Sequence, residues 1–158
     1  MGKHNEEDWE GFWRNTREAA AYRSGAPQQA VLEQFWGDFF KRTLPMFPGA
    51  RILDLACGNG AVARSAIAAA RTAGLTHVMV CGLDRSDSGL VDLYRRLPSA
   101  YPVNADVLMA PFRDGVFDLV TSQFGVEYAG SSAVAEAARL VAPGGVLAAI
   151  LHLQGGGI

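Results

Sequence analysis

The sequence predicts an α/β protein: a doubly wound parallel sheet with helices on both of its faces. Three observations carry that prediction. Short apolar runs alternate with helix-favouring stretches of about a dozen residues between positions 50 and 152, the rhythm of strand–helix–strand units. The runs are almost continuously apolar, as strands covered on both faces are. Glycine, proline or a capping serine marks most of the junctions. Right-handed crossovers between such units wind the sheet outward in both directions.

Residues 1–25 are polar with embedded aromatics. Trp9, Phe12 and Trp13 fall on one helical face behind Asn5, a capping residue, and Ser24-Gly25-Ala26-Pro27 breaks that helix. Residues 28–43 carry Val31, Leu32, Phe35, Trp36, Phe39 and Phe40 as a second helical stripe, closed by Pro45 and Pro48-Gly49. The first strand is 51–57 (RILDLAC), ending in Gly58-Asn59-Gly60. Alanine-rich 61–73 favours a helix with Gly74 as its C-terminal cap. The second strand is 78–84 (VMVCGLD), followed by a helix that Ser86 or Ser88 starts and Pro98 ends. Residues 101–106 read as a weaker third strand and 117–124 (FDLVTSQF) as the fourth. A helix over 131–142, a turn at Pro143-Gly144-Gly145 and a fifth strand over 146–152 (VLAAILH) complete the pattern. The domain division expected is an N-terminal helical segment, 1–48, as a candidate lid, and a sheet domain, 49–158.

At 158 residues, 49% hydrophobic and 19% charged, the chain is globular in composition and long enough to bury a core without a disulfide or metal staple. A formal net charge of -2 lacks the basic surplus that phosphate neutralisation needs, so nucleic acid and acidic membranes are not expected partners. Cys57 and Cys81 make no metal spacing and read as buried thiols of a reducing compartment. There is no signal core and no apolar run near membrane-spanning length, so a cytoplasmic location is expected.

Doubly wound sheets bind ligands at the carboxyl ends of their strands. Two glycines in Gly58-Asn59-Gly60 let the chain bend sharply and let a ligand touch the backbone. Asp54, an acid inside the apolar first strand, is costly unless it meets a partner; it would repel a pyrophosphate and welcome ammonium or hydroxyl donors. Asp84 ends the second strand, where a carboxylate can accept from both hydroxyls of a ribose. Asp106 ends the third; its carboxylate can accept from an adenine amine while the Val107 amide donates to a ring nitrogen. The bland role for Asp106 is a loop cap before Met109-Ala110-Pro111.

LDLACGNG, then GLD, then NADVLMAPFRDGVFDLVTSQF, then EAARLVAPGGVLAAILH resemble the successive motifs of class I S-adenosylmethionine-dependent methyltransferases, over about two-thirds of the chain, residues 50–153. The resemblance implies a Rossmann-like domain with S-adenosylmethionine as cofactor and S-adenosylhomocysteine as product. It implies that Gly58 and Gly60 pack against the methionine part, with Ala56, Cys57 and Asn59 completing the loop. Asp54 would orient that loop and help receive the amino-acid end; Asp84 would bind the ribose and Asp106 the adenine. Arg85 and Ser86 would lie beside the adenine edge, and Ser122 and Gln123 near the sulfonium. The family usually adds an antiparallel hairpin after strand five, whereas this sequence stops at Gln154-Gly155-Gly156-Gly157-Ile158. A sheet lacking that hairpin is therefore expected, its open edge left by an incomplete or degenerate chain or covered by a second copy in a homodimer.

Methyl transfer to a small-molecule acceptor is the expected function. Strand four lacks the [ND]PP[YF] run of amino methyltransferases, which lowers nucleic-acid and protein-glutamine acceptors. Two other readings stand beside it. Gly58-x-Gly60-x-x-Ala63 with Asp84 allows an NAD(P)-dependent oxidoreductase, against which Asp54, Asp106 and the lack of a Tyr-x-x-x-Lys pair count. A non-catalytic adenosyl-cofactor-binding scaffold subunit is the other. No metal-ligand pattern is visible. No catalytic residue is fixed; Glu127, Tyr128 and His152, just after strands four and five, are the candidates, with a partly exposed loop histidine as the plainer reading of His152.

Overall fold

The computed structural model describes residues 27–153. Helix α1 (Pro27–Thr43) starts on proline, whose missing N–H costs nothing in a first turn, and ends on Lys41 and Arg42, favourably placed at a helix C-terminus. It buries Trp36 and Phe40 against α2 (Ala61–Thr72). Trp36 is the hub of an aromatic pile, edge-on to Phe35 and Phe39 and stacked on Phe40.

Strands β1 (Arg51–Leu55), β2 (Met79–Asp84), β3 (Tyr101–Asn104), β4 (Phe117–Gln123) and β5 (Val141–Ile150) form one sheet in the order β3-β2-β1-β4-β5, every pair parallel. Winding reverses between β1 and β4, so the switch point lies at their carboxyl ends. Successive strand residues serve opposite layers. Ile52, Val80 and Leu119 pack with Trp36 and Phe40 of α1, Val62 and Ala66 of α2, and Leu90 and Leu93 of α3 (Asp87–Arg96). Leu53, Cys81 and Val120 pack with Ala133, Ala137 and Leu140 of α4 (Ser131–Leu140).

Local chemistry sets the ends. Helix α2 closes in a paired turn around Gly74 at φ +69: Leu75 N–H donates to the Ala70 carbonyl and Gly74 N–H to that of Arg71. Ser86, not Ser88, caps α3, accepting from the Gly89 amide. β1 stops at Leu55 rather than 57 because Ala56 turns to φ +53. β3 stops at Asn104, which leaves Asp106 in the following loop.

The C-terminal strand corrects the sequence reading. Helix α4 ends at Leu140, and β5 begins at once with Val141 opposite Phe117. Pro143-Gly144-Gly145 is a bulge inside that strand, after which Val146 pairs with Leu119. The bulge presses on β4: a Cβ on Gly145 would stand 2.6 Å from the Asp118 carbonyl oxygen. His152 accordingly lies past the strand, not in it. The candidate lid residues Trp9, Phe12 and Trp13 and the terminal Gln154–Ile158 stretch lie outside the described residues.

Candidate functional site

The turn after β1 is built around left-handed backbone. Ala56 and Gly58 have φ +53 and Gly60 φ +95. At Ala56 this conformation is strained, and a side chain facing it would collide: a Cβ on Gly125 would overlap the Ala56 Cβ, so the turn after β4 needs glycine there. Cys57 N–H donates to the Leu83 carbonyl at 3.0 Å, and Gly60 N–H closes the turn on the Cys57 carbonyl at 2.9 Å. Burial pushes the Cys57 thiol well up, with Asp84 and Asp54 adding to the shift, so it stays a neutral packing group.

Asp84 ties two loops together. One carboxylate oxygen accepts the Gly58 amide and the other the Ser86 amide, each at 2.8 Å. Asp106 caps its own loop, accepting the Leu108 amide at 2.9 Å, while its other oxygen stands 4.0 Å from the Arg85 guanidinium. Asn104 holds the same corner by donating to the Arg85 carbonyl at 3.0 Å.

Asp54 and Asn59 lie deepest, each 1% exposed. Thr121 donates to one Asp54 oxygen at 3.1 Å; the other oxygen is buried without a hydrogen bond, as are both amide atoms of Asn59. Burial raises the Asp54 carboxyl to about 8, with the Thr121 hydrogen bond opposing it and the nearby Asp84 charge adding to it. Unmet buried polar atoms are costly, and these ask for a ligand with both donors and acceptors. The ammonium and carboxylate of an amino acid supply that set, so these two residues fit the methionine end of S-adenosylmethionine.

The sequence profile of the methyltransferase domain family matches residues 53–149, which run from β1 into β5. The chain belongs to this methyltransferase family. It is 35% identical over 135 residues to a malonyl-[acyl-carrier protein] O-methyltransferase of Enterobacter lignolyticus, covering 82% of this chain and 51% of that one. It is 32% identical over 147 residues to a demethylmenaquinone methyltransferase of Parafrankia, covering 79% and 55%. The chain thus spans about half the length of the curated relatives it matches. The fold is shared with a candidate S-adenosyl-L-methionine-dependent methyltransferase of Methanococcus maripaludis at a TM-score of 0.67 and 16% identity, over 96% of this chain and 68% of that one.

The methyltransferase domain brings most of the sequence-predicted residues to one edge of the sheet. Ala56–Gly60 follow β1, Asp84 ends β2 with Arg85 and Ser86 after it, Asp106 and Val107 follow β3, and Ser122 and Gln123 end β4. Two of them carry structural duties that the sequence hid. Ser122 spends its hydroxyl proton on the Leu55 carbonyl at 2.9 Å. Gln123 accepts from the indole of Trp36, a residue otherwise read as plain packing. The one available hint was that a buried indole N–H requires a partner.

Glu127, Tyr128 and His152 come together. A single Glu127 oxygen accepts the His152 amide at 3.0 Å and lies 3.2 Å from Nδ1, while the Tyr128 hydroxyl lies 3.0 Å from the same Nδ1. Sequence reasoning missed Phe124, whose ring stacks on the imidazole with centroids 4.1 Å apart and which takes φ +52. Burial and the Glu127 charge raise the Tyr128 phenol, which keeps it a neutral hydroxyl. Among the described residues no cluster of three histidines, cysteines or acids could hold a metal, and no helix is long and apolar enough to cross a membrane.

Proposed function

We propose that this chain binds S-adenosylmethionine and moves its methyl group to a small-molecule acceptor, releasing S-adenosylhomocysteine. The observation that carries the reading is the pair of unmet polar groups, Asp54 and Asn59, buried under a glycine turn at the switch point. Burial holds the Asp54 carboxyl at about 8, and an ammonium facing it would bring out its charged form, which supports an adenosyl ligand over a nicotinamide one.

When bound, the cofactor supplies a methyl already activated by a positive sulfur. The protein's own groups then bind and align. Asp54 and Asn59 receive the amino-acid end, against the backbone of Ala56, Cys57, Gly58 and Gly60. Asp84, at the carboxyl end of β2, takes ribose hydroxyls. Asp106 and the Val107 amide address the adenine, with Arg85 and Ser86 at its edge. Ser122 and Gln123 border the reacting end. The relatives act on an acyl-carrier-bound malonyl group and on demethylmenaquinone, which supports a metabolite acceptor here.

Calorimetric titration with S-adenosylhomocysteine, with NADH as control, tests the reading. Micromolar binding of the adenosyl ligand, lost by about tenfold or more in Asp84→Asn, is expected. A folded chain that ignores it, or prefers NADH, sinks the reading.

A further inference from the structure

The loop between β3 and β4, residues 105–116, carries both groups proposed to address adenine, the Asp106 carboxylate and the Val107 amide, yet it has no strand or helix of its own. Its shape comes from what holds its ends. At the first end the Ala105 amide donates to the Asp84 carbonyl at 3.1 Å. Asp106 then closes a tight turn: its carboxylate accepts the Leu108 amide at 2.9 Å and its carbonyl the Met109 amide at 3.0 Å. The very next residue, Ala110, is where α4 takes hold.

Two side chains of α4 make that grip. Glu136 accepts the Ala110 amide at 3.1 Å. Arg139 donates to Glu136 from Nε at 2.9 Å and from Nη2 at 2.6 Å. Nη2 also donates to the Ala110 carbonyl at 3.3 Å, and Nη1 to the Phe112 carbonyl at 2.9 Å and to Asp114 at 2.8 Å. A guanidinium has five N–H groups, and these five bonds match them in number. The Arg139 carbonyl accepts the Gly115 amide at 2.9 Å, so one residue holds the loop from Ala110 to Gly115. The hydrogen bonds from Arg139 keep the Glu136 carboxyl below its ordinary range, so it stays a charged acceptor. Val107 and Ala110 are buried in one cluster with Ala133 and Ala137 of α4. Apolar burial has no direction, so it seats the loop without fixing its register; the fork of Arg139 has direction and fixes it.

We infer that Arg139, acting through Glu136 and Ala110, is a positioning residue for base recognition: it holds Asp106 and the Val107 amide where they tell adenine from a 6-oxo purine. This rests on the methyl-transfer reading and its adenine assignment. Adenine presents an amine donor beside a ring-nitrogen acceptor, the complement of a carboxylate beside an amide N–H. Hypoxanthine presents a carbonyl and a ring N–H in those places, so both contacts are mismatched. A fixed loop makes that mismatch costly. A loop released from α4 can turn Asp106 aside and meets either base equally.

The test compares wild type, Arg139→Ala and Arg139→Lys, each as the full chain. Lysine keeps the charge and one contact to Glu136 but cannot span the Ala110 and Phe112 carbonyls as well. Calorimetric titration with S-adenosylhomocysteine and with S-inosylhomocysteine gives the base discrimination, and amide hydrogen exchange gives the loop's own stability. Expected is a wild-type preference for the adenosyl ligand of about 30-fold or more. It falls by about tenfold in Arg139→Ala and by about threefold or more in Arg139→Lys, through weaker adenosyl binding with inosyl binding little changed. The Leu108, Met109 and Ala110 amides exchange faster in both variants, while those of Leu53 and Val80 in β1 and β2 do not. Undiminished discrimination in Arg139→Lys, an equal loss of both ligands, faster exchange spread evenly over loop and strands, or a wild type that binds both ligands alike overturns the inference. A folded wild type that binds neither ligand instead removes the methyl-transfer reading beneath it.

Discussion

The indole N–H of Trp36 donates to the side-chain oxygen of Gln123 at 2.7 Å, linking the middle of α1 to the last residue of β4. The bond fixes which way the Gln123 amide faces. Its oxygen is turned to the helix, so its NH2 is the end left to donate elsewhere. A helix outside the sheet thereby sets the polarity of a residue at the carboxyl edge of β4.

Trp36→Phe retains an aromatic ring in the pile but removes the donor. It should lower stability by about 1–2 kcal/mol, the cost of leaving a partly buried acceptor unmet. Gln123→Leu in that background should recover most of the loss, because both partners are then apolar. Denaturant melts of the two single variants and the double variant check this; simple additivity would mean that the hydrogen bond contributes nothing.

Asp54 makes stability depend on pH. Its carboxyl stands at about 8 in the folded chain against 3.8 ordinarily, so between those values the folded state holds a proton that the unfolded state has released. Stability therefore falls as pH rises through this window and levels off above about 8. The contribution from this one group approaches about 1.4 kcal/mol per pH unit in mid-window. Asp54→Asn should flatten the slope and raise stability at pH 8 while weakening adenosyl binding. Urea melts at a series of pH values give the slope; an unchanged slope in Asp54→Asn refutes the assignment.

An ammonium placed against Asp54 favours its charged form. Binding of S-adenosylhomocysteine near neutral pH should then release a proton, seen as a calorimetric heat that varies with the ionisation enthalpy of the buffer. Asp54→Asn should abolish that variation.

Ala56 and Gly125 are coupled through one methyl group. Gly125→Ala should cost about 1–3 kcal/mol by overpacking against the Ala56 Cβ. Ala56→Gly removes both the obstacle and a left-handed alanine, so the double variant should be more stable than Gly125→Ala alone. Thermal melts settle it; equal destabilisation of single and double variants would locate the strain elsewhere.

The frame of the fold was legible because its signals are local. Gly74 and Ser86 announce helix ends through backbone freedom and a hydroxyl acceptor, and the apolar runs around Leu53, Leu83 and Val120 can be covered only as inner strands. The start of β5 was hidden because Pro143-Gly144-Gly145 carries the chemistry of a turn; pairing of Val141 with Phe117 outweighed it. In the site, the acids at 54, 84 and 106 stood out as charges at strand ends. The partner of Asp84 did not, because folding brings the Gly58 amide to it, whereas the loop cap that Asp106 makes on the Leu108 amide is local and matches its bland role. The positive φ of Phe124 and its stack on His152 had no local signal at all.

The bulge in β5 resets the pairing of that strand with β4. Phe117 faces Val141, but Leu119 faces Val146, so two steps along β4 correspond to five along β5. The extra residues are seated against β4, where a Cβ on Gly145 would stand 2.6 Å from the Asp118 carbonyl oxygen. The stretch from Val146 to Ile150 stays zipped to its neighbour, and His152 keeps its place over Phe124. The place of the imidazole over Phe124 thus depends on the length of the bulge, since one residue more or fewer there would shift the register in which β5 reaches it.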